Sequence, residues 1–160
     1  IDAVLLEGDG QPFSEIDPAT WEVVVAGNKA AGLYVLASGS MVETSKQALV
    51  VLAEAGIQPT LINARSIKPL DEKLLASLLS QPGARIVTVE EGVLTGGFGS
   101  AVLEYGAKLR FSKPGAKLAE VACVALPDQF VEHGARPILL DIVGLSVAKV
   151  AQTMTEFFRA

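Results

Sequence analysis

With 160 residues the chain has the length of one ordinary domain, enough to bury roughly two thirds of the surface that its unfolded form exposes. Half of the residues are hydrophobic but only 6% are aromatic, so the core must be built mainly from Val, Leu, Ile and Ala, as in a sheet covered by helices on both faces. A net charge of −5, with no Lys/Arg cluster interleaved with aromatics, leaves no basic footprint for nucleic acid or an anionic membrane.

The first 28 residues are acidic, since Asp2, Glu7, Asp9, Glu15, Asp17 and Glu22 all precede the first base, Lys29. Gly8, Gly10, Pro12 and Pro18 interrupt regular structure there. Residues 1–28 therefore read as a linker carrying one strand, and 29–160 as the folded domain. No basic segment followed by an apolar run opens the sequence, and no uninterrupted apolar stretch reaches the ~18 residues of a membrane span. The expectation is a soluble, intracellular protein.

Leu33-Tyr34-Val35-Leu36-Ala37-Ser38 is an apolar run bounded by glycines, the pattern of a buried parallel strand. Ser40-Met41-Val42-Glu43 follows and fits a capping box, in which each side chain satisfies a backbone N–H at the helix start. That helix runs through Glu54 and stops at Gly56. Residues 60–64 form a second strand, and Pro69 disfavours helix at Lys68. Asp71 then caps a helix with Leu74, Leu75, Leu78 and Leu79 on one face, ending near Pro82-Gly83.

Ile86-Val87-Thr88-Val89 is the third strand, followed by Glu90-Glu91, the turn Gly96-Gly97-Phe98-Gly99 and a helix over 99–109. A strand over 120–126, a polar loop over 127–134 and a short helix near Ile138-Leu139-Leu140 come next. The last helix, capped by Ser146, carries Val147, Val150, Ala151, Met154, Phe157 and Phe158 at the spacing of a core-packing face. Strict alternation of strand and helix predicts an α/β fold, a three-layer sandwich around a mostly parallel sheet of about five strands.

Glycines at the carboxyl end of a parallel strand allow close backbone approach and aim helix N–H groups at whatever sits there. Gly96, Gly97 and Gly99 thus suit a phosphate cradle or a tight turn at a domain contact. The Walker spacing fails because Phe98 stands where Lys is needed, and the dinucleotide pattern fails because Val102 stands where Gly or Ala packs. Of Glu90 and Glu91, at least one sits at the strand's carboxyl end, facing a ligand or stabilising the next helix dipole. His133, the sole histidine, lies beside Glu132 in a polar loop and suits proton transfer or an interface hydrogen bond. Cys123, within Val121-Ala122-Cys123-Val124-Ala125, reads as core filler. One Cys and one His exclude a dedicated zinc site.

Four segments together resemble one family: 36–42 (Leu-Ala-Ser-Gly-Ser-Met-Val), 63–71 (Asn-Ala-Arg-Ser-Ile-Lys-Pro-Leu-Asp), Val89-Glu90-Glu91-Gly92 with the turn through Val102, and 126–134 (Leu-Pro-Asp-Gln-Phe-Val-Glu-His-Gly). They are similar to the C-terminal domain of the transketolase-like thiamine diphosphate enzymes, over residues 33–159. The fourth segment, with Leu139-Leu140 and Gly144-Leu145-Ser146, resembles the 1-deoxy-D-xylulose-5-phosphate synthases most. Ser146 stands where those enzymes commonly have Asp, and Arg136-Pro137 replaces a more polar helix start.

The resemblance implies a homodimer in which two upstream domains hold thiamine diphosphate and Mg²⁺ and carry the catalytic residues. Such an enzyme decarboxylates pyruvate and joins the two-carbon unit to glyceraldehyde 3-phosphate, giving 1-deoxy-D-xylulose 5-phosphate and CO₂ for isoprenoid, thiamine and pyridoxal synthesis. It works in a bacterial cytoplasm or a plastid. This chain would be its scaffold and interface domain, with no catalytic, metal or cofactor-binding residue and no cofactor bound. Candidate interface positions are Glu90, Glu91, Gly96, Gly97, Gly99, Asp128, Glu132 and His133. Gly8-Asp9-Gly10 matches the core of the thiamine diphosphate motif, but Asn28 comes too early for the partner Asn, so the match reads as coincidence. The alternatives are the C-terminal domain of a transketolase or of a 2-oxo acid dehydrogenase β subunit, and, from another class, a free-standing anion-binding or interaction module.

Overall fold

The computed structural model describes residues 16–160. Gly8-Asp9-Gly10 and the acidic positions up to Glu15 lie outside the described residues. The elements are β1 (Glu22–Val25), β2 (Leu33–Ala37), α1 (Met41–Glu54), β3 (Thr60–Asn63), α2 (Glu72–Leu79), β4 (Arg85–Val93), α3 (Phe98–Ser112), β5 (Glu120–Leu126), α4 (Arg136–Ile142) and α5 (Val147–Arg159). The strands lie in the order β1-β3-β2-β4-β5. All pair in parallel except β1, which is antiparallel to β3. The expected mostly parallel, five-stranded sheet is therefore present.

Period-two alternation divides the core into two layers. Val35 and Ala37 of β2 face the side where Val87, Val89 and Leu61 meet α1 and α5. Tyr34 and Leu36 face the other side, where Ile86 and Ile62 meet α2 and α3. Val35, Leu36 and Ala37 are fully buried, which explains why the strand reads as a continuous apolar run. Burying each Val or Leu side chain of this kind contributes ~1.5–3 kcal/mol. The last helix meets its expectation, with Val150, Ala151, Met154 and Phe158 buried.

The acidic segment does more than connect. Trp21 is buried edge-on to Phe98, and β1 extends the sheet beyond β3. Asp71 explains the join: one carboxylate oxygen accepts from Leu74 N (2.9 Å), capping α2, and the other accepts from Trp21 N (3.0 Å).

Two local expectations fail. Ser40 takes helical backbone angles and makes no cap hydrogen bond, while Glu43 accepts from Gln47, so no capping box forms. The Ser40 hydroxyl is drawn across the sheet end instead, to Glu91. Strand β4 also runs on through Glu90-Glu91-Gly92 to Val93, with a register shift between Val89 and Val93 against β5. The run 136–159 is 24 residues long with a mean hydropathy of 1.4 in its apolar window, enough by length and composition to cross a membrane. Gly144, at φ 83°, breaks it into α4 and α5, and α5 turns its apolar face into the core.

Candidate functional site

The loops after β2 and β4 leave neighbouring strands for opposite faces, α1 covering one and α3 the other. Ligands of open α/β sheets collect in the crevice outside such a divergence. A depression of about 530 Å³ lies there, lined by Ser40, Arg65, Ile67, Glu91, Gly92 and Leu126 among others.

Glu90 is 4% exposed and points at the start of α3. Its two carboxylate oxygens accept from Phe98 N and Gly99 N, each at 2.7 Å. Of the two readings of the acidic pair, Glu90 therefore serves the helix terminus. The remaining amides of the turn are also used: Gly97 N donates to Leu94 O and Gly96 N to the Ser100 hydroxyl. A phosphate arriving here would meet donors already occupied and a carboxylate of its own sign. The residues present do not fit a diphosphate, and among the described residues no group of three His, Cys, Asp or Glu side chains could hold a metal ion.

The glycines follow from that carboxylate. A Cβ at Gly97 would collide with Val93 O and come within 2.5 Å of Glu90 Oε2. One at Gly99 would lie 2.8 Å from both Cys123 Sγ and Thr88 Oγ1. Gly96 takes φ 78°, in the left-handed region that favours glycine. Glu90 and Gly99 are buried within the chain, and both help to shape the turn. Burial also pushes the Cys123 thiol above its ordinary value, outweighing the opposing influence of the neighbouring Thr88 hydroxyl, and Glu90 adds to the rise. A thiol held protonated is a poor nucleophile.

Glu91, the next residue, points out to the crevice. Its Oε2 accepts from Ser40 Oγ (2.5 Å) and from Arg136 Nη2 (2.5 Å). Arg136 also reaches Ser40 Oγ at 3.3 Å. The Ser40 hydroxyl, with Arg136 beyond it, holds Glu91 below the ordinary carboxylate value of 4.5 despite partial burial. This cluster ties β2–α1, β4 and the start of α4 together. Sequence reading missed Ser40 and Arg136 as partners, because they lie 51 and 45 residues from Glu91 and no local pattern connects them.

Asp128, Glu132 and His133 are exposed on the loop between β5 and α4. The structure does not bring them into the Glu90 or Glu91 clusters.

Residues 20–150 match the family described as transketolase, C-terminal domain. Among curated proteins, the chain is 40% identical over 142 residues to the 1-deoxy-D-xylulose-5-phosphate synthase of Shouchella clausii (strain KSM-K16), covering 89% of this chain and 21% of that protein. It is 44% identical over 124 residues to the protein of the same name from Gloeobacter violaceus (strain ATCC 29082 / PCC 7421), covering 78% and 18%. The chain thus spans about a fifth of the length of these relatives. Among solved structures, a split-gene transketolase described as an inactive β4 tetramer superposes with a TM-score of 0.74 at 26% identity, over 91% of this chain and 44% of that one. The transketolase mutant R525L from Pichia stipitis shares the fold, with a TM-score of 0.61 at 19% identity over 88% and 18%.

Proposed function

The chain belongs to the transketolase C-terminal domain family, and from that membership we propose that it is the C-terminal scaffold and interface domain of a 1-deoxy-D-xylulose-5-phosphate synthase. Identities of 40% and 44% to proteins of that name support this reading over a transketolase. The complete enzyme, a homodimer, would use thiamine diphosphate and Mg²⁺ to decarboxylate pyruvate and pass the two-carbon unit to glyceraldehyde 3-phosphate.

The observation that carries the scaffold role is the Glu90 carboxylate seated on the first amides of α3. It fills the place where the glycine-rich turn invited a phosphate, which supports a domain that takes neither cofactor nor substrate phosphate there. What the residues do instead is fix geometry. Glu90 sets the turn, and Glu91 with Arg136 sets where α4 begins. The neighbour described as an inactive β4 tetramer is consistent with a domain that depends on the rest of its enzyme.

The test compares the full-length protein with the 160 residues alone. The full-length protein should release CO₂ from pyruvate only when glyceraldehyde 3-phosphate is present to complete turnover, and the 160 residues should show no heat of thiamine diphosphate binding by calorimetry. Micromolar binding by the short chain would overturn the scaffold role. Transfer from a ketose phosphate without decarboxylation would reassign the protein to the transketolases.

A further inference from the structure

The carboxyl end of the sheet carries an apolar patch that the described residues leave open. Ile67 after β3, Val93 and Leu94 at the end of β4, and Phe130 after β5 are 45%, 43%, 42% and 93% exposed. Ile142, on α4, is 69% exposed. Leu126 lies among the first three, and Phe130 follows it on the next loop. Ile67 shares the crevice with Leu126, Val93 pairs with Leu126 in register and Leu94 N donates to Leu126 O. Phe130 and Ile142 line a second hollow, of about 230 Å³, on the loop that follows Leu126. Single exposed apolar side chains are ordinary, whereas several gathered at one end of a sheet, a nearly fully exposed aromatic among them, mark a surface that is covered in use.

Two observations name what covers it. Because β1 is antiparallel, its first residue, Glu22, lies opposite Asn63 at the carboxyl end of β3. Just before it, the Trp21 indole N–H donates to Ser66 O, so the chain passes into the domain at this same end. The family is a C-terminal domain, and the chain spans about a fifth of its relatives, so in those relatives most of the polypeptide precedes this segment and arrives beside the patch. We propose that the patch of Ile67, Val93, Leu94 and Phe130 is the docking surface for the polypeptide preceding this domain in the full-length protein, with Phe130 as its anchor. This rests on the reading of the chain as a C-terminal domain. The ion pairs Glu22–Arg65 and Glu91–Arg136 flank it as a polar rim, the arrangement in which an apolar centre is sealed from water.

Amide hydrogen exchange of the full-length protein tests the docking. Peptides over 128–134 should exchange roughly ten-fold more slowly than the exposed turn at 113–117, on the opposite end of α3, and Phe130→Asp should return them to the rate of that turn. The protection should not change on dilution. Fast exchange at 128–134 in the wild-type protein would overturn the inference. Protection lost as the protein dissociates to monomers would assign the patch to a second copy, overturning it equally. Pyruvate turnover on the same sample separates the two readings: turnover with an unprotected loop sinks the docking surface alone, and a protected loop without turnover sinks the proposed function alone.

Discussion

Glu90 and Glu91 are neighbours in sequence with unrelated tasks, because successive side chains of a strand leave on opposite sides. That a carboxylate would stand at this strand end was legible in the sequence. Which one would be buried was not, since β4 slips register against β5 between Val89 and Val93 and pairing is not written locally. Glu90→Ala leaves the N–H groups of Phe98 and Gly99 buried without an acceptor, and urea unfolding should show a loss of about 2–5 kcal/mol; Glu90→Gln, which keeps one acceptor oxygen, should lose less. Gly99→Ala drives a methyl group against Cys123 and Thr88, at a cost of about 1–3 kcal/mol. Because those atoms touch, Cys123→Ala should recover part of that loss in the double variant, and strictly additive losses would show the crowding to lie elsewhere. Glu91 titrates low in the folded state, so its contribution is complete above its ordinary value and fades as pH falls through the folded one. The stability difference between wild type and Arg136→Ala should be on the order of 0.5–1 kcal/mol for so exposed a pair, constant at neutral pH and shrinking below about pH 4.5.

Among the elements, those signalled by adjacent residues were readable and those settled by distant partners were not. Asp71 announces α2 because a cap and the amides it satisfies are three residues apart. Ser40 and Glu43 have the same local credentials, yet the hydroxyl follows Glu91 across the sheet end; a charged acceptor makes the stronger hydrogen bond. Strand β1, with Glu22 and Val23 exposed, is weakly patterned because it is an edge, and only Trp21 hints that this acidic stretch joins the core. Asp71 holds that edge strand and α2 with one carboxylate, so Asp71→Ala should cost about 2 kcal/mol. Exchange at Val23–Val25 should rise together with that in the first turn of α2. Acceleration in α2 alone would show that β1 is held by its pairing with β3 and not by the carboxylate.

At the scale of the molecule, the layer order follows from composition and alternation, which is why the α/β fold could be expected from an aromatic-poor, aliphatic-rich chain. The strand end where ligands of such folds collect could be named from the sequence; that it would be braced from inside could not, as Ser40, Glu91 and Arg136 come from the β2–α1 connection, strand β4 and the start of α4. The buried carboxylate on α3 has a consequence of a different kind. The turn is an acetate-sized receptor whose guest is tethered by the polypeptide itself. Cutting the tether with Glu90→Ala should turn an internal contact into a recruitable site: formate or acetate added to that variant should raise its melting temperature in proportion to the logarithm of concentration, while wild type stays unmoved. A variant equally indifferent to both anions would mean that the amides of Phe98 and Gly99 find water once the carboxylate is gone.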